Sequence, residues 1–300
     1  MPVYDLIILD EIESIIKQFS LEETFKDRAR STFEFLQHID YASLNDCGKI
    51  ISMDGDLGNR AMHFLNKFGR MKNIINRINF NDFHMKFTID RDYYESNIFQ
   101  ALDAGKNIVI PTMSAGYANQ IYSDIADKYP HLKLALYTSS SGGQEKVKLK
   151  NVDEHWSDVN VLIYSPTISA GVSFDKIHFD IIFGVICSNS CSERDYHQML
   201  RRVRKINQKD ILIFNYSNFT LNPECSYTTY KESKAHCLAI KDINLKRAYV
   251  KDDQNRTKIA YTMDDYDENY IYNKAEDMNS SFDCFLTTFI SRAIKKRFYL

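Results

Sequence analysis

Seven short apolar runs constrain this fold more than anything else in the chain. They fall at 6–9, 50–53, 108–110, 132–137, 161–164, 181–186 and 211–215. Each is rich in Ile, Val or Leu and largely unalternated, as expected for parallel strands covered on both faces. Stretches with helical spacing lie between them. Residues 24–40 place Phe25, Ala29, Phe33, Leu36 and Ile39 on one stripe, and 115–129 do the same with Ala118, Ile121, Tyr122 and Ile125. Strands alternating with helices predict an α/β architecture of parallel sheets joined by right-handed crossovers.

The runs are unevenly distributed. A polar, Asn-rich stretch at 72–91 separates the first two from the later five. This spacing predicts a first domain over 1–88, a second over 89–220 and a carboxyl-terminal extension over 221–300. The extension is charged and Tyr-rich at 241–279, and it ends in an amphipathic helix at 281–300 that carries Lys295, Lys296 and Arg297. No apolar run approaches the ~18 residues of a membrane span. A strand-like run follows Met1 at once, so no signal peptide is expected. Net charge is −2, so any nucleic-acid contact must come from a local patch. The six cysteines are scattered; Cys187 and Cys191 alone lie close, without a second metal-ligand pair. Free thiols in a reducing intracellular compartment are therefore expected.

Chemistry-bearing residues cluster where these runs end. The first run delivers Asp10 and Glu11. Two carboxylates at a strand's carboxyl end suit Mg²⁺ and an attacking water; the alternative is that they cap the helix that follows. Far downstream, Gln198 is followed by Arg201, Arg202, Arg204 and Lys205, expected on a short helix. A guanidinium fork suits phosphate; the alternative is a solvated basic face. Two hydroxyl-rich loops also follow buried runs, one with Thr112 and Ser114, the other with Thr167, Ser169 and Ser173 around Gly171. Either they meet phosphates or they cap helices and connect elements.

The order of these motifs resembles superfamily 2 helicases, and more closely the viral replication-origin-binding helicases of herpesviruses and large DNA viruses. The likeness covers roughly 3–216. It rests on Asp10-Glu11-Ile12-Glu13 as the DExx box, Asp54-Gly55-Asp56-Leu57, the loop at 165–174, and Gln198 with Arg202 and Arg204. It implies RecA-like sheets, with an incomplete first motor domain, a complete second one and a carboxyl-terminal extension. It implies ATP and Mg²⁺ as cofactors and DNA as partner. Asp10 would hold the metal, and Asp10, Glu11, Gln198, Arg202 and Arg204 would be catalytic. Gly171 and Asp175 would join Asp10, Glu11, Arg202 and Arg204 around the nucleotide. Thr112, Ser114, Thr167 and Ser169 would line the nucleic-acid path. Asp54 and Asp56 would reach the neighbourhood of Glu11 or an arginine of the second domain.

One part is missing. No G-x-x-x-x-G-K-[ST] occurs, and Gly48-Lys49 and Gly105-Lys106 lack the following Ser or Thr. The backbone cradle for the β- and γ-phosphates is then absent. A split gene whose partner chain carries the Walker A segment, a truncated or degraded frame, and a misread start each fit. The expected activity is that of a helicase motor portion acting in DNA replication, inactive alone. The rivals are a non-catalytic adaptor that binds single-stranded DNA and an unrelated α/β enzyme. The eight histidines are dispersed and offer the latter no catalytic constellation.

Overall fold

All seven apolar runs are β-strands in the computed structural model. It describes residues 6–18, 49–55, 57–66, 72, 74, 83–168, 172–188, 190–222, 229–240, 246–251, 254–279, 283–295 and 298–299. The expected helix at 24–40 lies outside the described residues. The chain divides into two compact units, one of 1–76 with 227–279 and the other of 77–226 with 280–300.

The second unit is built on a seven-stranded parallel sheet. Its strands are β3 (Phe83–Thr88), β4 (Ile108–Pro111), β5 (Leu134–Tyr137), β6 (Val161–Tyr164), β7 (Ile181–Ile186), β8 (Asp210–Asn215) and the short β11 (Phe298–Tyr299). Their spatial order is β11-β3-β8-β7-β4-β6-β5. Successive strand residues point to opposite faces, and both faces are buried. Ile108, Ile110, Val161, Ile163, Phe183 and Val185 face one core with Tyr94, Ile98, Tyr117, Ile121 and Ile125. Those partners come from helices α3 (Arg91–Asp103) and α4 (Ala115–Lys128). Val109, Leu162, Ile182 and Ile186 face the other core with Trp156, Phe174, Tyr196 and Phe289. This double burial is why the strands read as unbroken apolar runs.

Short helices α5 (Gly143–Lys148) and α6 (Val152–His155) follow β5, and α7 (Glu193–Met199) follows β7. Helix α7 opens with a capping box between Ser192 and Asp195. Helix α10 (Phe285–Lys295) packs on it. The His197 and Phe289 rings stack with centroids 4.3 Å apart, His197 Nε2 lies 3.0 Å from the Phe289 carbonyl oxygen, and Arg292 pairs with Glu193 at 2.8 Å. The expected helix at 281–300 is thus shorter and is followed by a strand.

The first unit carries strands β1 (Leu6–Asp10) and β2 (Lys49–Met53), paired in parallel, with helices α1 (Ile12–Gln18) and α2 (Asn59–Asn66). Ile12, Ile16, Ala61, Phe64 and Leu65 form its core with Leu9. Helices α8 (Tyr230–Ala239) and α9 (Asp265–Asn279) and an antiparallel ribbon, β9 (Lys246–Lys251) with β10 (Thr257–Thr262), complete it. Neither of the first two helices, nor the ribbon, is apparent from sequence periodicity.

Two expectations are corrected. Strand β3 occupies part of the polar stretch at 72–91, where no strand was expected; its Phe-His-Met-Lys-Phe-Thr sequence hides the strand because Met85 alone is fully buried. Cys187, Cys191 and Cys237 are free thiols, but Cys284 is disulfide-bonded, so free thiols do not describe every cysteine. No helix among the described residues is long and apolar enough to cross a membrane.

Candidate functional site

In the second unit, chemistry gathers at the carboxyl ends of the parallel strands. The strand order reverses between β4 and β7, and open α/β sheets bind ligands outside such a switch point. Thr112 bridges to Val185 there, and the Met113 amide donates to the Val185 carbonyl at 3.0 Å. The Thr112 hydroxyl is buried and serves the loop itself: it accepts from the Ser114 amide at 3.0 Å and donates to the Ser114 carbonyl at 3.2 Å. Ser114 Oγ accepts from the Tyr117 amide at 3.1 Å as the N-cap of α4. Ser190 Oγ donates to the Met113 carbonyl at 2.7 Å, and the Ser188 amide donates to Ser217 Oγ at 2.8 Å. Sequence reasoning missed Ser188, Ser190 and Ser217, because Ser188 and Ser190 follow β7, and their partners Ser217 and Met113 follow β8 and β4. After β6, Ser165 and Thr167 share a hydroxyl contact of 3.0 Å. Ser169 and Gly171 lie outside the described residues.

The loop after β6 leads directly to the arginines. Val203 bridges Phe174 in parallel, with the Phe174 amide donating to the Arg202 carbonyl at 2.7 Å and the Arg204 amide to the Phe174 carbonyl at 3.0 Å. These residues were expected on a helix. Helix α7 ends at Met199, and this short extended pairing draws the chain out of it. Arg202 Nη1 donates to the Val172 carbonyl at 3.1 Å, fixing its guanidinium under the loop. Arg202 also lies near the Tyr164 phenol, whose pKa burial pushes well up and this guanidinium partly restores. Arg204 Nη1 lies 3.6 Å from Asp175 Oδ2, with both side chains about half exposed. The Ser173 hydroxyl is 3.4 Å from the same carboxylate. The fold therefore brings together Arg202, Arg204 and Asp175, which are neighbours in space but nearly thirty residues apart. Gln198 is half-buried on α7, and its carbonyl accepts from the Arg201 amide at 3.0 Å.

In the first unit, Asp10 ends β1 with an exposed carboxylate. Glu11 turns the chain from strand to helix at φ 55°, the left-handed region that non-glycine residues seldom adopt. Its carbonyl accepts from the Ser14 and Ile15 amides at 2.9 and 3.1 Å. Strain of this kind is retained where surroundings over-determine the backbone, and the next turn supplies them. The Glu13 amide donates to Asp54 Oδ2 at 3.0 Å, so Asp54 does reach the neighbourhood of Glu11. Asp56 lies outside the described residues.

Glu13 itself is buried, and its oxygens accept from the Gly58 and Ala61 amides at 2.6 and 3.2 Å, capping α2. The Arg60 guanidinium pairs with Glu13 at 2.8 Å, donates to the Glu13 carbonyl at 3.0 Å and reaches Asn273 of α9. The sequence signal was present in the Glu of Asp10-Glu11-Ile12-Glu13; its partners, more than forty residues away, were not visible.

Mg²⁺ is usually held by one or two carboxylates together with substrate phosphates. Asp10 fits that role. Among the described residues, no group of three or more His, Cys, Asp or Glu forms a complete cage.

Comparison with known proteins bears on family and fold. Residues 81–226 match the family described as origin of replication binding protein. A putative replication origin-binding protein of Acanthamoeba polyphaga mimivirus is 29% identical over 95% of this chain and 36% of that protein. A putative helicase/primase complex protein of African swine fever virus is 36% identical over 68% of this chain and 18% of its own length. The replication origin-binding protein of human herpesvirus 7 is 27% identical over 70% of this chain and 27% of that protein. The chain thus spans between 18% and 36% of the length of these relatives. Among solved structures, the DEAD-box helicase Mss116 bound to ssRNA and UDP-BeF has a TM-score of 0.50 at 10% identity, covering 98% of this chain and 56% of that one. A Dbp5 variant from S. cerevisiae bound to RNA and ADP BeF3 has the same TM-score at 10% identity, covering 81% of this chain and 60% of that one. At such identity the likeness is one of fold, and that fold is the RecA-like parallel sheet of helicase motors. Sheet and relatives converge: through residues 81–226 this chain belongs with the family described as origin of replication binding protein.

Proposed function

We propose that the chain is the carboxyl-terminal motor portion of an ATP-dependent DNA helicase that acts at replication origins. The observation that carries this is the pairing of the arginine segment 202–204 with the loop after β6, which presents Arg204 beside Asp175. An arginine held on a rigid loop near nucleotide phosphates stabilises charge that develops in phosphoryl transfer. In this reading Asp10 binds Mg²⁺, Glu11 orients the attacking water, and Gly171 and Asp175 lie near the nucleotide. Arg202 and Arg204 meet the phosphates, and Gln198 joins them. Thr112, Ser114, Thr167 and Ser169 contact the backbone of the tracked strand without reading its bases. Bound Mg²⁺ and ATP supply the phosphoryl group and neutralise its charge.

The phosphate cradle then comes from chain beyond these 300 residues or from a separate chain carrying the Walker A segment. One feature supports a further layer on the first unit. Leu6, Ile8, Ile51 and Met53 are each about half exposed, on the β1–β2 face they share with Asp10. Parallel sheets are ordinarily covered on both faces. The setting is the site of viral genome replication in the host, nuclear or cytoplasmic.

The test is ATP hydrolysis by the motor completed with its P-loop segment. Asp10→Asn and Arg204→Ala should each lower kcat at least about a hundredfold, by analogy with metal-binding and arginine-finger losses. Unchanged turnover in Arg204→Ala would falsify the reading. A second reading, an adaptor that binds single-stranded DNA, is favoured by the missing G-x-x-x-x-G-K-[ST]. It requires salt-dependent DNA binding that neither ATP nor Mg²⁺ alters.

A further inference from the structure

Helix α9 has no role in the reading above, yet it is held from two sides. Ile271 faces α8, where it packs with Cys237. Asn269 and Asn273 lie four residues apart, on a second stripe of the helix, and meet α1 and α2. Arg60 Nη1 of α2 donates to Asn273 Oδ1. Asn269 Nδ2 donates to the Ile16 carbonyl at 3.4 Å, near the end of α1, where carbonyls lack partners within the helix. Both asparagines are 4% exposed. Each keeps one further polar atom, Asn269 Oδ1 and Asn273 Nδ2, buried without a hydrogen-bond partner among the described residues. An amide atom buried and unpaired is destabilising, and an aliphatic side chain of similar volume would avoid the loss. Packing alone therefore does not account for amides at 269 and 273; the groups they hold do.

Those groups lead to the end of β1. Arg60 Nε and Nη2 donate to Glu13 Oε2 and to the Glu13 carbonyl, each at 3.0 Å. The Glu13 amide donates to Asp54, and two residues earlier Glu11 turns the chain at φ 55° with its carbonyl opening α1. We infer that Asn273 is a positioning residue for Asp10 and Glu11: it fixes Arg60, through Arg60 the backbone at Glu13, and so the left-handed turn from which the two carboxylates extend. Such a turn persists only where its surroundings over-determine it. Asn269 adds a second hold on the same helix, three residues beyond Glu13. The inference deepens the helicase reading and rests on it for the reaction served. It makes α9, which follows the whole length of the parallel sheet's long strands in sequence, a working part of the first unit's carboxylate site.

The test has two readouts. In the full chain, hydrogen exchange read by mass spectrometry should quicken across 11–18 in Asn273→Leu, while the peptide over β6 in the other unit stays unchanged. In the motor completed with its P-loop segment, the same variant should lower kcat about 10- to 100-fold, the range for groups that orient a metal ligand, with KM for ATP shifting less than about twofold. Asn273→Asp keeps an acceptor for the Arg60 guanidinium and should recover most of the turnover. A contact that merely packs would be worsened by a buried carboxylate. Unchanged exchange in Asn273→Leu, a risen KM with kcat intact, or no recovery in Asn273→Asp each overturns the inference. Should Asn273→Leu fail to fold by circular dichroism, the wild-type chain decides. Ser14 and Ile15 amides that exchange with the same urea dependence as those of α9 support the coupling, and exchange independent of α9 overturns it. If Asn273→Leu is silent while Asp10→Asn abolishes turnover, the positioning role falls and the helicase reading stands. If Asp10→Asn leaves turnover unchanged, the helicase reading falls, and the exchange result alone upholds or overturns the hold of α9 on α1.

Discussion

Glu13 and Arg60 show how single residues set the geometry beyond the end of β1. Both are buried, and Glu13 anchors α2 through two amides while Arg60 ties it to α9. Removing one member leaves the other charge buried without its partner, so Arg60→Ala should cost about 3–5 kcal/mol in urea unfolding. Gly58 permits this approach: a Cβ there would sit 2.8 Å from Glu13 Oε1. The exposed Arg204–Asp175 pair is the opposite case. Asp175→Asn should change stability by less than about 1 kcal/mol, because solvent screens such pairs. Cys187 offers a pH test. Burial pushes its thiol up to about 11, so the protonated form is favoured in the fold. Its contribution to stability is complete below the unfolded thiol pKa of about 8.5 and is lost as pH rises toward 11. Iodoacetamide at pH 8 should therefore label Cys187 far more slowly in folded than in urea-unfolded protein. At this scale the sequence revealed which residues carry chemistry but not their company. Asp10 and Glu11 stand out because a strand delivers them together. Glu13 had the same local context, yet its function depends on Gly58 and Arg60, which no short-range pattern connects to it.

At the scale of elements, legibility followed burial. Strand β6 was visible at its full length because Val161, Leu162, Ile163 and Tyr164 are all buried between two helical layers. Strand β3 was hidden because exposed His84 and Lys86 alternate with its apolar residues. Helix α9 escaped notice because its Tyr and Asn residues form a half-polar contact face in place of an aliphatic stripe. Contact between α7 and β7 depends on Gly184, where a Cβ would meet Tyr196 Oη at 2.6 Å and Ile213 Cγ1 at 3.2 Å. The same hydroxyl donates to the Pro111 carbonyl at 3.1 Å. Gly184→Ala should destabilise the second unit by about 1–3 kcal/mol, read by thermal unfolding. Phe289 on α10 is wholly buried against Tyr196, His197 and Phe285. Phe289→Ala should cost about 3–5 kcal/mol.

Over the whole molecule, the two units are interleaved along the chain. The first takes 1–76 and 227–279, and the second takes 77–226 and 280–300. A division into consecutive segments was the natural reading of 72–91, since sequence periodicity carries no information about which distant segments pack together. A fragment limited to 81–226, the stretch that matches the family, lacks α10 and exposes Phe219, Tyr196 and His197. It should melt lower and aggregate more readily than the same fragment carrying 280–300 in trans or by fusion, as light scattering during heating would show. The interleaving also orders events during synthesis. Because Phe285 and Phe289 fill the core beneath β7 and α7, a nascent chain emerging from the ribosome has assembled every long strand of that sheet before its last buried side chains arrive. For most of translation the growing polypeptide must therefore shelter an unfinished apolar surface, and a chaperone that holds such surfaces would meet this protein late, near residue 289, when a single helix closes it.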